Sequence, residues 1–343
     1  VTLVVVDADV LGRQRTGDES YVRNLLGTLP TPAGAAGLRL AAVTRHPELV
    51  PAGVEAIELP ARVQELRMAW SLPHALRRLD ASLVHTQYAL PLRCPCPAVV
   101  TVHDLSFELE DPALMGRRDR WTFRRVVPRA VRGAARVLTV SERTKHDLVD
   151  RYRVAPDQIV VTPNGVDPAF GPDGASYKLQ LGPYALAVGA VQPRKNQLAA
   201  LAAARRAGLE LVVVGPVKDE GVAVALREGG AQLVGYVPAE RLAELYRGAA
   251  CLVQASHHEG FGLPVVEAMA SGTPVVVVPD AALVEVAGDA AVVVEESHLA
   301  DGIRLALADR ARLRDAGLER ARRFSWEAAA ETTVRAYVEA LAR

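Results

Sequence analysis

Short apolar runs recur along the chain, each followed by a stretch whose hydrophobic positions repeat with helical spacing. Val1 to Asp7 is continuously apolar up to its closing aspartate, as in a strand buried on both faces of a parallel sheet. Comparable runs lie near 38–44, 54–59, 83–86, 98–102, 137–140 and 159–162. Between the first two, Asp18 to Leu29 places Tyr21, Leu25 and Leu26 on one helical face. Pro163-Asn164-Gly165-Val166-Asp167 is a turn-rich exit, and the Pro- and Gly-broken residues 168–180 read as a linker. A second set of runs follows near 184–189, 209–214, 233–235, 251–254, 274–278 and 290–294. Residues 299–323 read as helical, Phe324-Ser325-Trp326 breaks the run, and Ser325 is placed to cap a last helix over 326–341. This alternation predicts an α/β protein with two Rossmann-like, doubly wound parallel-sheet domains facing across a cleft. The expected division is 1–170 and 171–325, with a terminal helix at 326–343.

Composition narrows the class. A chain of 343 residues exceeds one ordinary core, and with 50% hydrophobic and 23% charged residues it is globular. The formal net charge is +0, so no global field points to nucleic acid. Only four of the 40 basic residues are lysines (Lys145, Lys178, Lys195, Lys218), which singles each of them out. Cys94 and Cys96 sit in Arg-Cys-Pro-Cys-Pro without a zinc-spaced partner set and read as reduced thiols. No run reaches transmembrane length and no signal-peptide pattern opens the chain. The expectation is a cytoplasmic protein, its initiator Met removed or numbered out before Val1, with any membrane contact peripheral at the inner face. The loop after the first run holds Gly12 and Gly17 but not G-x-G-x-x-G, which removes most support for a nicotinamide dehydrogenase.

The densest candidate chemistry lies at 257–274, His-His-Glu-Gly-Phe-Gly-Leu-Pro-Val-Val-Glu-Ala-Met-Ala-Ser-Gly-Thr-Pro. A strand ending at Gln254 runs into a glycine-broken loop and then a helix, with Pro264 tolerated in its first turn and Gly272 at its left-handed end. Glu259-Gly260-Phe261-Gly262 therefore feeds a helix N-terminus, whose free N–H groups favour an anion. Glu259 and Glu267 accept hydrogen bonds and donate none, which suits a hydroxyl-rich ligand. The stretch reads as a cradle for phosphate and sugar together. His257 and His258 lack a third ligand, so no metal is expected there.

Several stretches, taken in order, resemble the retaining GT-B glycosyltransferases of family 4. They are Gly12-Arg13 with Thr16-Gly17, Val102 to Phe107, Val140 to Lys145, Pro163 to Asp167, Val188-Gly189 with Pro193-Arg194-Lys195-Asn196, Gly235-Tyr236-Val237-Pro238, and Glu259 to Glu267. The resemblance implies a GT-B fold, an acceptor held mainly by the first domain and a sugar nucleotide by the second. It also implies a C-terminal helix crossing back to the first domain. The reaction would be hexosyl transfer with retained anomeric configuration, without an essential metal or other cofactor. The acceptor would be a hydroxyl of a glycan, a lipid-linked compound or a small molecule. The motifs look most like mannosyltransferase-type members, so GDP-mannose is the first expectation and a UDP-hexose the second.

By the same resemblance, His103, Glu259, Arg194 and Lys195 are the catalytic candidates. Arg194 and Lys195, at the start of the helix after the first strand of the second domain, would neutralise the leaving pyrophosphate; the alternative is a solvated basic pair. Many relatives carry an arginine where this chain has Ala190, just after Gly189, so the phosphate clamp rests on these two cations. Glu267, in the first helical turn, would bind ribose hydroxyls, and Glu259 with the N–H groups of Gly260, Phe261 and Gly262, leading into Leu263, would hold the sugar. The base would lie near Gly235, Tyr236 and Val237, and Gly12 and Arg13 would close on the phosphates. His103 would contact the transferring sugar, its carbonyl helping the oxocarbenium-like state, with an ordinary structural histidine as the alternative. Asp7-x-Asp9 reads as loop polarity. Acceptor contacts are expected from loops 88–97 and 105–120.

Residues 117–136 hold eight arginines around an apolar stripe of Phe123, Val126, Val127, Ala130 and Val131. That pattern fits either a helix packed on the sheet or an amphipathic surface for anionic lipid. Two rivals share the expected fold: a sugar-nucleotide epimerase, and a non-catalytic binding subunit.

Overall fold

The structure, a computed structural model, describes residues 2–13, 16–61, 63–108, 117–178 and 182–343. Gln14 and Arg15 of the first loop, residues 109–116 of the expected acceptor loop and residues 179–180 of the expected linker lie outside the described residues. The chain divides into two compact units, Val1–Gly165 with Trp326–Arg343, and Val166–Ser325. The division falls after Gly165 rather than after residue 170.

The first unit holds seven parallel strands: Thr2–Asp7 (β1), Leu38–Thr44 (β2), Glu55–Glu58 (β3), Leu83–Gln87 (β4), Ala98–Val102 (β5), Arg136–Thr139 (β6) and Ile159–Val161 (β7). Their order is β3-β2-β1-β4-β5-β6-β7. Val4, Val5, Val99 and Val100 are fully buried, as their uninterrupted apolar runs require of strands covered on both faces. The order reverses between β1 and β4, where neighbouring crossovers leave in opposite directions and open a crevice at the strands' carboxyl ends.

The Arg-rich segment forms the helix Arg117–Gly133. Val127, Ala130 and Val131 pack into the core with Phe107 and Val137, so this stripe is used by the sheet. Arg124, Arg125, Arg129 and Arg132 are exposed, and the Arg125 guanidinium lies 3.9 Å over the ring of exposed Trp121.

The last helix, Trp326–Leu341, packs within this unit. The Tyr337 hydroxyl stands 2.7 Å from His85 Nδ1, and Trp326 meets Tyr21 edge-on at 6.0 Å. Burial holds the His85 imidazole down to about 3, so it stays neutral and pairs through Nε2 with the Thr101 hydroxyl at 2.7 Å.

The second unit holds six parallel strands: Tyr184–Val188 (β8), Glu210–Val214 (β9), Gln232–Gly235 (β10), Cys251–Gln254 (β11), Val275–Val277 (β12) and Val292–Val293 (β13). Their order, β10-β9-β8-β11-β12-β13, reverses between β8 and β11.

Two expectations change here. The run read as linker is laid along the helix Ala239–Gly248. Phe170 buries its ring against Tyr246 at 5.7 Å, Arg247 Nε donates to the Ala175 carbonyl at 2.7 Å, and Tyr177 N donates to the Glu244 carbonyl at 2.9 Å. The helical stretch expected at 299–323 is two helices, Leu299–Ala308 and Arg310–Ala321. Asp309 leaves helical geometry between them, and Arg310 reaches the carbonyls of Ala250 at 2.7 Å and Ala249 at 3.3 Å.

Among the described residues no helix is long and apolar enough to cross a membrane.

Candidate active site

The switch point of the second unit gathers most of the candidate residues. After β8 the chain turns at Gly189, whose φ of +141° is glycine territory. A Cβ on neighbouring Gly215, at the end of β9, would stand 2.2 Å from the Gly189 carbonyl oxygen, so the two strand exits approach as only glycines allow. Pro193–Lys195 then forms a 3-10 turn, Asn196 adopts a left-handed conformation, and the helix Gln197–Arg206 follows. Arg194 and Lys195 thus precede the helix rather than start it. The difference is set by Asn196, whose left-handed backbone redirects the chain.

The loop after β11 is clipped to this turn. His257 N donates to the Arg194 carbonyl at 3.0 Å, and the Arg194 guanidinium donates to the His258 carbonyl. Lys195 Nζ lies 2.5 Å from Glu259 Oε1, and Arg194 Nη1 lies 3.6 Å from Glu259 Oε2. Gln254 Nε2 donates to the same Oε1 at 2.7 Å. Burial pushes the Glu259 carboxyl up, but Lys195 and then Arg194 outweigh it and hold the group at about 2. Glu259 is therefore a buried, firmly ionised acceptor beside two cations.

Gly262, with a φ of 108°, caps the helix Leu263–Ala270, and Gly272 follows it in the left-handed region at 71°. Among the described residues, no acceptor is bonded to the N–H groups of Phe261 and Gly262. Phe261 is buried edge-on to Phe324 at 5.6 Å, which anchors the loop. Because the helix begins at Leu263, Glu267 falls past its first turn. It receives the Tyr246 hydroxyl on Oε2 at 2.9 Å. Burial raises the Glu267 carboxyl to about 7; the Tyr246 hydrogen bond opposes this and Asp167 adds to it. Gly235, ending β10, accepts a hydrogen bond from Gly215 N at 2.9 Å, and Tyr236 beyond it is exposed.

Gly12, Arg13 and His103 belong to the first unit, around the switch point of its own sheet. Gly12 N donates to Glu19 Oε1 at 3.0 Å, and Arg13 pairs with Asp9. Asp7 and Asp9 are not loop polarity. Asp7 takes both ends of the buried Arg67 fork at 2.6 and 2.7 Å, and Asp9 accepts from Arg45 Nε at 2.9 Å. No local pattern announces this cluster, because Arg67 lies 60 residues from Asp7.

His103 Nε2 lies 2.8 Å from Gln87 Oε1, and its ring meets Tyr21 edge-on at 4.7 Å. With the amide oxygen as acceptor, Nε2 carries the proton. Burial lowers the imidazole below its ordinary value, against Asp18 and Asp104, and keeps it neutral. Its carbonyl, expected to face the reacting sugar, accepts from Thr144 Oγ1 at 3.1 Å, leaving one lone pair.

Sequence reasoning missed Gln254 and Tyr246. Gln254 reads as the end of a buried strand, and Tyr246 as a core position on an amphipathic helix. The only signal was polarity at the carboxyl end of a switch-point strand.

Comparison with known proteins agrees with this geometry. Residues 24–170 match the family model for glycosyltransferase family 4, and residues 178–324 that for glycosyl transferases group 1. The O-antigen chain mannosyltransferase B of Escherichia coli is 31% identical over 328 residues, covering 88% of this chain and 83% of that protein. Sucrose-phosphate synthase from Thermosynechococcus elongatus superposes over 100% of both chains with a TM-score of 0.78 at 20% identity. Anabaena HepE, solved in complex with UDP and glucose, superposes with a TM-score of 0.71 at 15% identity, over 98% of this chain and 99% of that one. Two parallel-sheet units, a buried carboxylate beside adjacent cations with a second eight residues on, and a relative 31% identical over 88% of the chain place this chain in the group 1 glycosyltransferases, with the GT-B fold.

Proposed function

We propose that this glycosyltransferase moves a hexose from a nucleotide-sugar donor to an acceptor hydroxyl, with retention at the anomeric carbon and without a metal. The observation that carries the reading is the Lys195–Glu259 pair at the switch point, with Arg194 alongside. As the glycosidic bond to the donor breaks, negative charge gathers on the departing pyrophosphate. Lys195 and Arg194 are two fixed cations for that charge, the role a divalent ion plays elsewhere. The N–H groups of Phe261 and Gly262 and the helix N-terminus add dipoles of the same sign. Glu259, ionised at any physiological pH, accepts hydroxyls of the sugar, and Glu267 those of the ribose. Neutral His103 is assigned a hydrogen bond to a sugar hydroxyl, and the first unit the acceptor, a glycan, a lipid-linked compound or a small molecule. The mannosyltransferase relative supports GDP-mannose as first donor, and the UDP and glucose bound by HepE support a UDP-hexose as second.

Thermal-shift measurements with GDP and UDP test the donor half. A diphosphate present at about a hundred times its Kd should stabilise the protein by about 2.7 kcal/mol and raise its melting temperature. No shift with any nucleoside diphosphate would overturn the reading. Incubation with donor alone, followed by sugar analysis, should yield no isomerised sugar; an isomer would show an epimerase.

Glu267 makes donor binding pH-dependent. Its carboxyl is about 7 in the free protein, and only the carboxylate accepts two ribose hydroxyls. Donor affinity should therefore rise as pH rises through about 7 and be about tenfold weaker at pH 6 than at pH 8. An intact sugar nucleotide is the ligand to use, since its pyrophosphate does not titrate there. Calorimetry on Glu267→Gln should give a flat profile; an unchanged slope would assign the titration elsewhere.

A further inference from the structure

Gln254 ends β11 and is almost wholly buried, where an amide is stable only if its N–H groups are used. Both are. Nε2 donates to Glu259 Oε1 at 2.7 Å and to Ser256 Oγ at 2.9 Å. A carboxylate only accepts, so the nitrogen side of the amide must face it. Ser256 Oγ, accepting from Gln254, fixes the amide in that orientation. Glu259 is thus held by two kinds of partner: the Lys195 ammonium, and the uncharged amide of Gln254, itself oriented by Ser256.

The two kinds behave differently when a donor arrives. The ammonium has a stronger claim from a pyrophosphate than from one carboxylate, and turning to it loosens its hold on Glu259. The amide of Gln254 has no such competitor. We propose that Gln254 is a positioning residue for sugar recognition, keeping the Glu259 carboxylate set for the sugar hydroxyls while Lys195 turns to the donor's phosphates. This rests on the reading of the second unit as the donor site. Gln254 then has no part in nucleotide affinity and a large part in the extra affinity that the sugar confers.

Calorimetry separates the two. For wild type and Gln254→Met, which keeps the side chain's length, Kd is measured for UDP and GDP and for UDP-glucose and GDP-mannose. The diphosphate that binds should do so within about twofold in both proteins, while the sugar-nucleotide affinity of the variant falls about tenfold. Gln254→Glu supplies a test that packing alone does not move. Its new carboxylate should repel Glu259 at pH 7.5, and its protonated form, present at lower pH, donates again. The ratio of sugar-nucleotide to diphosphate affinity, taken against wild type at the same pH, should therefore recover on acidification. Equal weakening of both ligands, unchanged affinity for both, or a ratio that ignores pH would each overturn the proposal. Wild-type protein that binds neither nucleotide nor sugar nucleotide would overturn the donor-site reading itself, a distinct result.

Discussion

Lys195→Ala is expected to lower kcat by about 10²- to 10³-fold, the usual effect of deleting a preorganised group that meets charge as it develops. Two losses combine in that figure. The departing pyrophosphate keeps only Arg194, whose guanidinium is already engaged with the His258 carbonyl. Glu259 also loses the cation 2.5 Å from its Oε1, so its carboxyl climbs from about 2 toward the value that burial favours. Lys195→Arg should recover little. A Cβ on Gly189 would lie 3.2 Å from Lys195 Cε, closer than an ordinary contact, so the lysine stem runs against this turn and leaves scant room for a broader guanidinium. Release of nucleoside diphosphate under saturating donor is the measurement. A double-mutant cycle with Glu259→Gln should be strongly non-additive, because each residue sets the state of the other. Turnover of Lys195→Ala within threefold of wild type would remove the lysine from the leaving-group role.

How much of this was legible in the chain depended on distance along it. Strands such as Ala98–Val102 and Cys251–Gln254 stand where their largely apolar runs put them, since burial on both faces favours no other pattern. The Glu259 to Glu267 segment was legible for a similar reason: glycines, proline and carboxylates within a dozen positions fix a strand, loop and helix locally. Features that depend on one residue's backbone were less so. Asn196 in the left-handed region moves Lys195 out of the helix, and Asp309 divides a stretch that is helical in composition throughout. Features that need a partner far away were not legible at all. Tyr246 is a core tyrosine by spacing and becomes the partner of Glu267 only when two helices meet. Asp7 and Asp9 look like loop carboxylates until the fold delivers Arg67 to them.

That delivery has a large consequence for the stability of the first unit. Arg67 is fully buried and bridges Asp7, at 2.6 and 2.7 Å, toward Asp9 at 3.7 Å, with Arg45 and Arg13 completing the charge balance around Asp9. Arg67→Met fills a similar length of space but leaves two carboxylates, two residues apart, without their shared counter-ion. Removing one partner of a buried ion pair costs about 3–5 kcal/mol, because the remaining charge stays out of water without compensation. For a unit of this size the melting temperature should fall by about 10 °C. The same argument gives the control. Asp7→Asn added to Arg67→Met removes one stranded charge and should restore part of the loss, since well-packed apolar and amide groups replace buried ions with little penalty. Calorimetric scans resolve the first unit's transition, while diphosphate affinity monitors the second unit, which carries Arg194 and Lys195, and should hold within about twofold. Unfolding of Arg67→Met within a degree of wild type would mean that the pair is neutral in stability, its charges cancelling only the desolvation they incur.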